Sequence, residues 1–266
     1  MQASPAALQY LGRPPKVPEG DTIWRLAGLL QELVGGRSVT AARPERFERL
    51  TGRTLEAVEP VGKHLLMRFS DGWSLHSHLR MRGSWHVYRT GEPWRRSTHL
   101  ARAVLDFGDR QAVFFGAPVV ELVRNPAESV GHLGPDILAE DFPLDLVVAR
   151  ARAVGPAALG DLLLDQRICC GIGNVYKCET LWQLALNPWR SSADLSDQQL
   201  AELFATARRD MRSNLTAAPA RRFSGRPGGV HGRIGRPCPR CGVRVQARRQ
   251  GEQARLTYWC PGCQAI

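Results

Sequence analysis

Four cysteines near the end of the chain constrain its fold more than any other sequence feature. They form two C-x2-C pairs with 18 residues between the pairs: Cys238, Cys241, Cys260 and Cys263. Two pairs at this spacing can present four thiolates to one tetrahedral zinc ion. The alternative is two disulfides, which a cytoplasmic location would disfavour. With all four positions filled by protein, the zinc is predicted to be structural, and residues 243–249 and 253–259 are predicted to pair as a β-hairpin.

The same end of the chain is strongly basic. Lys and Arg number 36 against 25 Asp and Glu, a net charge of +11, and residues 221–266 hold ten arginines and one acid, Glu252. The simplest interpretation is a solvated basic tail. Interleaved glycines and the predicted metal site favour a surface that binds nucleic-acid phosphates. Residues 216–236, rich in Gly, Pro and Arg, are predicted to be a mobile loop that faces DNA.

Length and hydropathy narrow the class of protein. A chain of 266 residues with 43% hydrophobic residues can bury the core of one large or two smaller domains. It contains no run of about 18 apolar residues that could span a membrane. Residues 1–17 contain no continuous apolar segment of the kind found in secretory signals. We therefore expect a cytoplasmic protein with no membrane partner.

The first half of the chain reads as one helix followed by short strands. Asp21 is predicted to cap a helix whose apolar residues recur at helical spacing until Gly35 and Gly36. Turns at Asp71-Gly72 and Gly108-Asp109 separate β-rich segments. These segments predict an antiparallel sandwich or barrel with strands at 54–61, 64–70, 73–79, 84–88, 99–107 and 111–123.

The second half reads as helical after a Pro- and Gly-containing connection at 133–143, which places a domain boundary near residue 145. Residues 157–164 are predicted to be helical, and a second helix, with Asn174 as its N-cap, follows the turn GIGN at 171–174. Ser196 and Gln199 form a capping box for a third helix. Three further cysteines are interpreted as buried packing thiols: Cys169, Cys170 and Cys178.

Five separated segments resemble the Fpg/Nei family of DNA glycosylases, in the family's order and over nearly the whole chain from Pro18. They are PEGDTIWRL at 18–26, VGKHLLMRF at 61–69, SHLRMRG at 77–83, GIGNVYKCETLWQLALNP at 171–188, and CPRCG with RLTYWCPGCQ at 238–264. The PEGDT opening is similar to the actinobacterial endonuclease VIII (Nei2-like) branch.

The resemblance implies an α+β multidomain fold. Its parts would be a leader at 1–17, an N-terminal antiparallel β-sandwich domain with flanking helices at 18–145, a helix-two-turn-helix DNA-binding domain at 146–225 and a C-terminal zinc hairpin at 226–266.

The resemblance also assigns site residues. Pro18 matches the N-terminal proline whose amine attacks C1′ of the damaged nucleotide, and Glu19 matches the acid that protonates the sugar ring oxygen. Lys63 matches a phosphate-contacting lysine that donates a proton during β-elimination. Arg255 matches the zinc-hairpin arginine of δ-elimination. Asn174 matches a phosphate-clamping asparagine.

Two features of the sequence bear on which damaged bases the protein recognises. Met81 matches the residue that family members insert into the gap left by an extruded base, and Arg80 is its neighbour, although a methionine next to a strand could equally belong to the core. The segment FFGAPVVELVRNP at 114–126 lacks the Arg-x-Phe pattern of formamidopyrimidine-DNA glycosylases. A preference for oxidised pyrimidines is therefore expected.

Together these features predict a bifunctional DNA glycosylase/AP lyase of base-excision repair. We expect a bacterial, nucleoid-associated monomer with one structural zinc ion that acts on duplex DNA containing oxidised bases or abasic sites and cuts it by β,δ-elimination. The alternative is a catalytically silent protein that binds damaged DNA. A zinc-ribbon transcription factor would leave Pro18, Glu19 and Lys63 unexplained.

The leader decides between these alternatives, because a proline acylated by Val17 has no amine. The chain has 33 arginines and three lysines, a composition that indicates a GC-rich genome, where GUG is a common start codon. We expect Val17 to be the true initiator, read as Met and removed, and residues 1–16 to be a misassigned extension that is disordered if translated.

Overall fold

A computed structural model describes residues 18–216, 221, 223 and 228–265. The expectation of a disordered or misassigned leader falls outside these residues. The chain divides into two compact units that meet between His132 and Leu133. Within the described ranges, no helix is long and apolar enough to cross a membrane.

The described part of the first unit, residues 18–132, contains a helix, two sheets and a short second helix. The helices are α1 (Gly20–Val34) and α2 (Ala127–Val130). The strands are β1 (Ala41–Arg43), β2 (Leu55–Val61), β3 (His64–Phe69), β4 (Ser74–His78), β5 (Ser84–Arg89), β6 (Ala101–Asp106), β7 (Arg110–Phe115) and β8 (Val120–Val123). One antiparallel sheet has the order β1-β6-β7-β5 and the other the order β2-β3-β4-β8.

The two sheets form the predicted antiparallel sandwich. Alternate residues of β3 and β7, including Met67 and Phe114, point into one core that is shared with Leu30 of α1. Gly72 and Gly108 have φ of +81° and +85°, as the predicted turns require. The segment predicted as one strand at 111–123 is two strands, because residues 116–119 leave β7 and β8 joins the other sheet.

Two local predictions in this unit need correction. The helix α1 begins at Gly20 with Glu19 as its N-cap, so Asp21 lies in its first turn and is not the cap. Strand β1 was not predicted. It has three residues, of which Ala42 alone is buried, and its pairing with β6 is a long-range contact that no local pattern signals.

In the second unit, the described residues form four helices and a hairpin. They are α3 (Leu144–Ala153), α4 (Leu159–Leu164), α5 (Asn174–Gln183), α6 (Asp197–Ser213), β9 (Gln246–Gln250) and β10 (Arg255–Trp259). Ser196 and Gln199 form the predicted capping box of α6. The helices pack around buried apolar side chains that include Leu163, Tyr176, Leu181, Leu203 and Phe204.

The connection at 133–143 belongs to the second unit, whereas the sequence placed a boundary near residue 145. Its backbone bonds to the turn before α5, with Cys170 N donating to Pro135 O and Ile137 N donating to Cys170 O. Ile137 and Leu138 are buried. These backbone pairings attach a Pro- and Gly-rich segment to the helices although it reads as a linker.

Candidate active site and metal centre

Pro18 and Glu19 lie at the start of α1. Pro18 is half-buried, while Glu19 is only 1% exposed. The Glu19 amide donates to Thr22 Oγ1 at 3.4 Å, and Ile23, Leu26 and Leu30 anchor the helix in the sandwich core. The fold therefore holds a buried carboxyl group directly after the proline, next to the positive end of a helix dipole.

Lys63 occupies the turn between β2 and β3. Gly62 has φ of +58°, and Lys63 is half-buried. Burial, followed by the charges of Arg80 and Lys63, lowers the pKa of His78 to about 4. Lys63, His78 and Arg80 therefore act on one another electrostatically at one end of the β3-β4 hairpin.

Arg80 and Met81 lie in the turn between β4 and β5. Arg80 adopts φ of +50°, a left-handed conformation that is uncommon outside glycine, and its amide donates to His78 Nδ1 at 2.9 Å. Met81 is 56% exposed. The alternative of Met81 as a core residue is therefore wrong, and the turn displays its side chain to solvent.

The four cysteines of the two C-x2-C motifs come together in the second unit. Their sulfur atoms lie within 4.8 Å of one another, with Cys238 Sγ 3.9 Å from Cys263 Sγ and Cys241 Sγ 3.4 Å from Cys260 Sγ. Zinc–sulfur bonds of about 2.3 Å at tetrahedral angles place sulfurs about 3.8 Å apart. A disulfide needs about 2.05 Å, so the cysteines are unpaired thiols in a geometry that fits one zinc ion.

The ionisation of these thiols supports the same interpretation. Burial raises the pKa of Cys238, but N–H donors from Arg240, Cys241 and Trp182 outweigh it and bring the pKa to about 6. Burial and neighbouring thiols raise the pKa of Cys263 to about 12. Four thiolates this close repel one another, so their joint ionisation requires a cation among them.

Helix α5 holds the hairpin through one face. Asn174 is the first residue of the helix, with Gly173 as N-cap, so its predicted capping role is wrong. Its Nδ2 donates to Leu256 O at 2.9 Å. Three more contacts follow along the helix: Lys177 Nζ to Thr257 Oγ1 (2.6 Å), Tyr258 N to Cys178 Sγ (3.4 Å), and Trp182 Nε1 to Cys238 Sγ (3.3 Å).

These contacts place Asn174 next to the strand that begins with Arg255. Arg255 is exposed, and its guanidinium donates to Gln253 Oε1 at 3.1 and 3.2 Å. Asn174 and Arg255, which are both predicted to contact phosphates, therefore lie on segments that are joined by the hydrogen bond from Asn174 to Leu256. Cys169, Cys170 and Cys178 are buried, as predicted.

The predicted mobile loop at 216–236 is only partly described. Residues 229–231 are anchored, because the buried Glu179 carboxylate accepts amide hydrogens from Gly229 (2.6 Å), Val230 (3.0 Å) and His231 (2.7 Å). The mobility and the DNA contact of the loop stay predictions, and this anchor is a feature that the sequence did not reveal. The sequence missed it because Glu179 reads as an ordinary helix residue, and the contact spans about fifty positions.

Sequence reasoning also missed polar residues on the outer face of the β2-β3-β4-β8 sheet. His64 of β3, His76 of β4 and Glu121 of β8 are joined by hydrogen bonds. The one available signal was the alternation of His76 and His78, which puts both on one face of a strand.

Comparison with known proteins identifies the family. The model of the formamidopyrimidine-DNA glycosylase N-terminal domain matches residues 17–118, and that of the formamidopyrimidine-DNA glycosylase H2TH domain matches residues 133–220. A probable endonuclease 8 2 of Streptomyces coelicolor is 43% identical over 261 residues, covering 94% of each chain. The chain belongs to the Fpg/Nei family of DNA glycosylases and AP lyases.

Other members of the family match over similar lengths. The Mycolicibacterium smegmatis protein named DNA-(apurinic or apyrimidinic site) lyase Nei2 is 33% identical, covering 93% of this chain and 99% of its own. A crystal structure of Lactococcus lactis Fpg with DNA containing N7-benzyl-Fapy-dG has a TM-score of 0.79 and 23% identity, covering 94% and 100%. This structural likeness confirms the Fpg-like fold of sandwich, H2TH domain and C-terminal hairpin.

Proposed function

We propose that this protein removes oxidised bases from DNA and cuts the resulting abasic site, with Pro18 as nucleophile and Glu19 as general acid. The observation that carries the proposal is the buried Glu19 carboxyl directly after Pro18, at the start of α1, in a chain of the Fpg/Nei family. An exposed surface turn would leave this carboxyl in water, whereas here the carboxyl is withdrawn from solvent directly beside the proposed nucleophile, where a general acid must lie.

The reaction would begin at C1′ of the damaged nucleotide. The Pro18 amine forms a bond to C1′ as the glycosidic bond breaks, while Glu19 protonates the sugar ring oxygen and the ring opens to an iminium. This iminium is positive without a further proton, so it acidifies C2′. Loss of the C2′ proton then expels the 3′ phosphate, and a second elimination expels the 5′ phosphate, which leaves a one-nucleotide gap.

The remaining residues would hold the DNA. Lys63 and Asn174 contact phosphates, Lys63 also donates a proton during β-elimination, and Arg255 acts in δ-elimination. Met81, exposed on its turn, fills the gap left by the extruded base, with Arg80 beside it. The four cysteines of the two C-x2-C motifs would hold one structural zinc ion. Its role would be to keep the hairpin folded, with no part in the chemistry.

The partner would be duplex DNA bound by a monomer in the bacterial cytoplasm. Relatives support this proposal, since solved Lactococcus lactis Fpg structures contain DNA with an abasic site or an oxidised pyrimidine. Borohydride trapping on an abasic-site duplex tests the function, because the iminium is reduced to a stable protein–DNA adduct. A protein that binds the duplex and gives no adduct from a free Pro18 amine would favour the alternative of a silent damage-binding protein.

Arg255→Ala should slow strand cleavage and weaken binding, while Lys63→Ala should slow the lyase steps more than it weakens recognition. If each side chain contacts one phosphate, each change should lower the salt slope of DNA binding by about one. Fluorescence anisotropy at several salt concentrations measures the slope, with the exposed Arg102→Ala as control. An altered lesion preference at unchanged salt slope would contradict phosphate contact.

Thymine glycol and 5-hydroxyuracil should be excised faster than 8-oxoguanine opposite cytosine. The reason is the missing Arg-x-Phe pattern at 114–126 together with the PEGDT opening. Single-turnover excision from matched duplexes that differ in one lesion measures the preference. Excision of 8-oxoguanine at an equal or higher rate would overturn this part of the proposal.

A further inference from the structure

A chain of hydrogen bonds crosses the outer face of the β2-β3-β4-β8 sheet. His64 Nδ1 lies 2.8 Å from His76 Nε2, and His76 Nδ1 lies 2.8 Å from Glu121 Oε1. The His64 and His76 ring centroids are 5.0 Å apart and the ring planes differ by 15°, so the two bonded nitrogens lie between the rings. Ser129 Oγ donates to the same carboxylate oxygen at 3.0 Å.

Strand register creates this chain. His76 is the cross-strand partner of Glu121, and His64 is the partner of His78, two residues along β4 from His76. His76 is 3% exposed, so its two ring nitrogens depend on these protein partners for hydrogen bonds. His64 is half-buried, and Glu121 is more exposed. The buried ring therefore connects a solvated carboxylate to a ring at the end of the sheet near Lys63.

The hydrogen bonds determine where each proton sits. The Glu121 carboxylate is an acceptor, so His76 Nδ1 carries a proton, and in the neutral ring Nε2 is left to accept from His64 Nδ1. Neutral His64 then presents a bare Nε2. His78 has the opposite tautomer, because its Nδ1 accepts from the Arg80 amide at 2.9 Å.

Two cationic side chains, Lys63 and Arg80, lie near His64. Burial, His78, His76, His132 and Arg80, in that order, lower the pKa of His64 to about 3. Lys63 precedes it in the β2–β3 turn, and in β2 the nearby acid Glu59 is paired with Arg68 at 2.6 Å. These two cations favour an anion in front of them, and the hydrogen bonds through His76 connect His64 to the Glu121 carboxylate.

We propose that Glu121, His76 and His64 form a relay that lets His64 Nε2 take up a proton when a phosphodiester of DNA binds beside it. The proton comes from solvent and forms a new N–H bond at Nε2. Its positive charge is shared along the hydrogen bonds toward Glu121, and no other bond breaks. The phosphate then accepts a hydrogen bond from a positively charged His64, which is neutral when no DNA is bound. This inference rests on the proposed DNA binding but not on the Pro18 chemistry.

Proton uptake on binding tests the relay. Calorimetry in buffers of different ionisation enthalpy, with a duplex containing a tetrahydrofuran abasic analogue, counts protons without permitting the lyase reaction. Binding should tighten as the pH falls, by up to about tenfold per pH unit below the pKa of the complex. His64→Gln should lose this proton, and the exposed His99→Gln should keep it. Equal uptake by wild type and His64→Gln would overturn the proposal.

The variant Glu121→Gln tests whether the negative charge of Glu121, rather than its hydrogen bond with His76, promotes proton uptake. Its amide oxygen can still accept from His76 Nδ1, but the negative charge is gone, so proton uptake should move to lower pH. Glu128→Gln, an exposed acid of α2, is the matched control and should leave uptake unchanged. An unchanged pH profile in Glu121→Gln would show that the carboxylate charge does not reach His64.

Imidazole ¹⁵N NMR of the free protein provides a measurement that needs no variant and no DNA. His64 and His76 should carry their protons on Nδ1, and His78 on Nε2. A His64 ring protonated on Nε2 alone would contradict the relay. Borohydride trapping keeps the proposals distinguishable: a protein that takes up the proton but does not trap would overturn the lyase mechanism, whereas one that traps without His64-linked uptake would overturn the relay.

Discussion

A chain that begins at Pro18 with a free amine should form a borohydride-stable adduct with an abasic-site duplex, and a chain that retains Val17 should form none. The secondary amine of proline can attack C1′, whereas the same nitrogen within a Val17–Pro18 amide has its lone pair delocalised into the carbonyl. We therefore expect a covalent adduct with the chain that begins at Pro18 and no adduct with the chain that retains Val17.

The sharpest comparison uses two forms of the protein that differ only in what precedes Pro18. One form starts with Met directly before Pro18, so that methionine removal exposes the proline, and the other keeps residues 1–17, with mass spectrometry to verify each N-terminus. DNA binding by the intact chain serves as the control for folding. Equal trapping by a chain that still carries residues 1–17 would rule out the Pro18 amine as the nucleophile.

Removal of zinc should unfold the hairpin and abolish DNA cleavage while the β-sandwich stays folded. A structural zinc site supplies about 10 kcal/mol or more of local folding free energy. All four sulfurs lie at 238–263, and the sandwich core contains residues between Ile23 and Val120. Chelation or Cys260→Ser should therefore leave that core intact and release β10 with Arg255.

Limited trypsin digestion can follow this loss, because the hairpin region is rich in arginine. Cleavage should begin at Arg240, Arg244 and Arg248 after zinc removal, while fragments from residues 18–132 persist. The buried Cys169→Ala is the control, and it should retain one zinc ion per chain by metal analysis. Zinc-free protein that still cuts an abasic site at the normal rate would contradict the assignment.

The sequence by itself determined the features that depend on near neighbours in the chain. Two C-x2-C pairs identified the sulfur cluster, because each pair forms its turn locally. The β-rich segments separated by turns at Asp71-Gly72 and Gly108-Asp109 identified the sandwich, and Ser196 with Gln199 identified the start of α6. The same locality explains the errors at Asp21 and Asn174, because a polar residue one or two positions after the true N-cap carries nearly the same signal.

The tertiary structure alone decided which distant residues meet. Strand register joins His64 and His76 to Glu121, and no periodicity of either segment specifies that register. The contact of Glu179 with three backbone amides and the bond from Asn174 to Leu256 likewise span fifty or more positions. Such contacts depend on how whole elements pack, because burial of a shared core sets side-chain positions that local propensity leaves open.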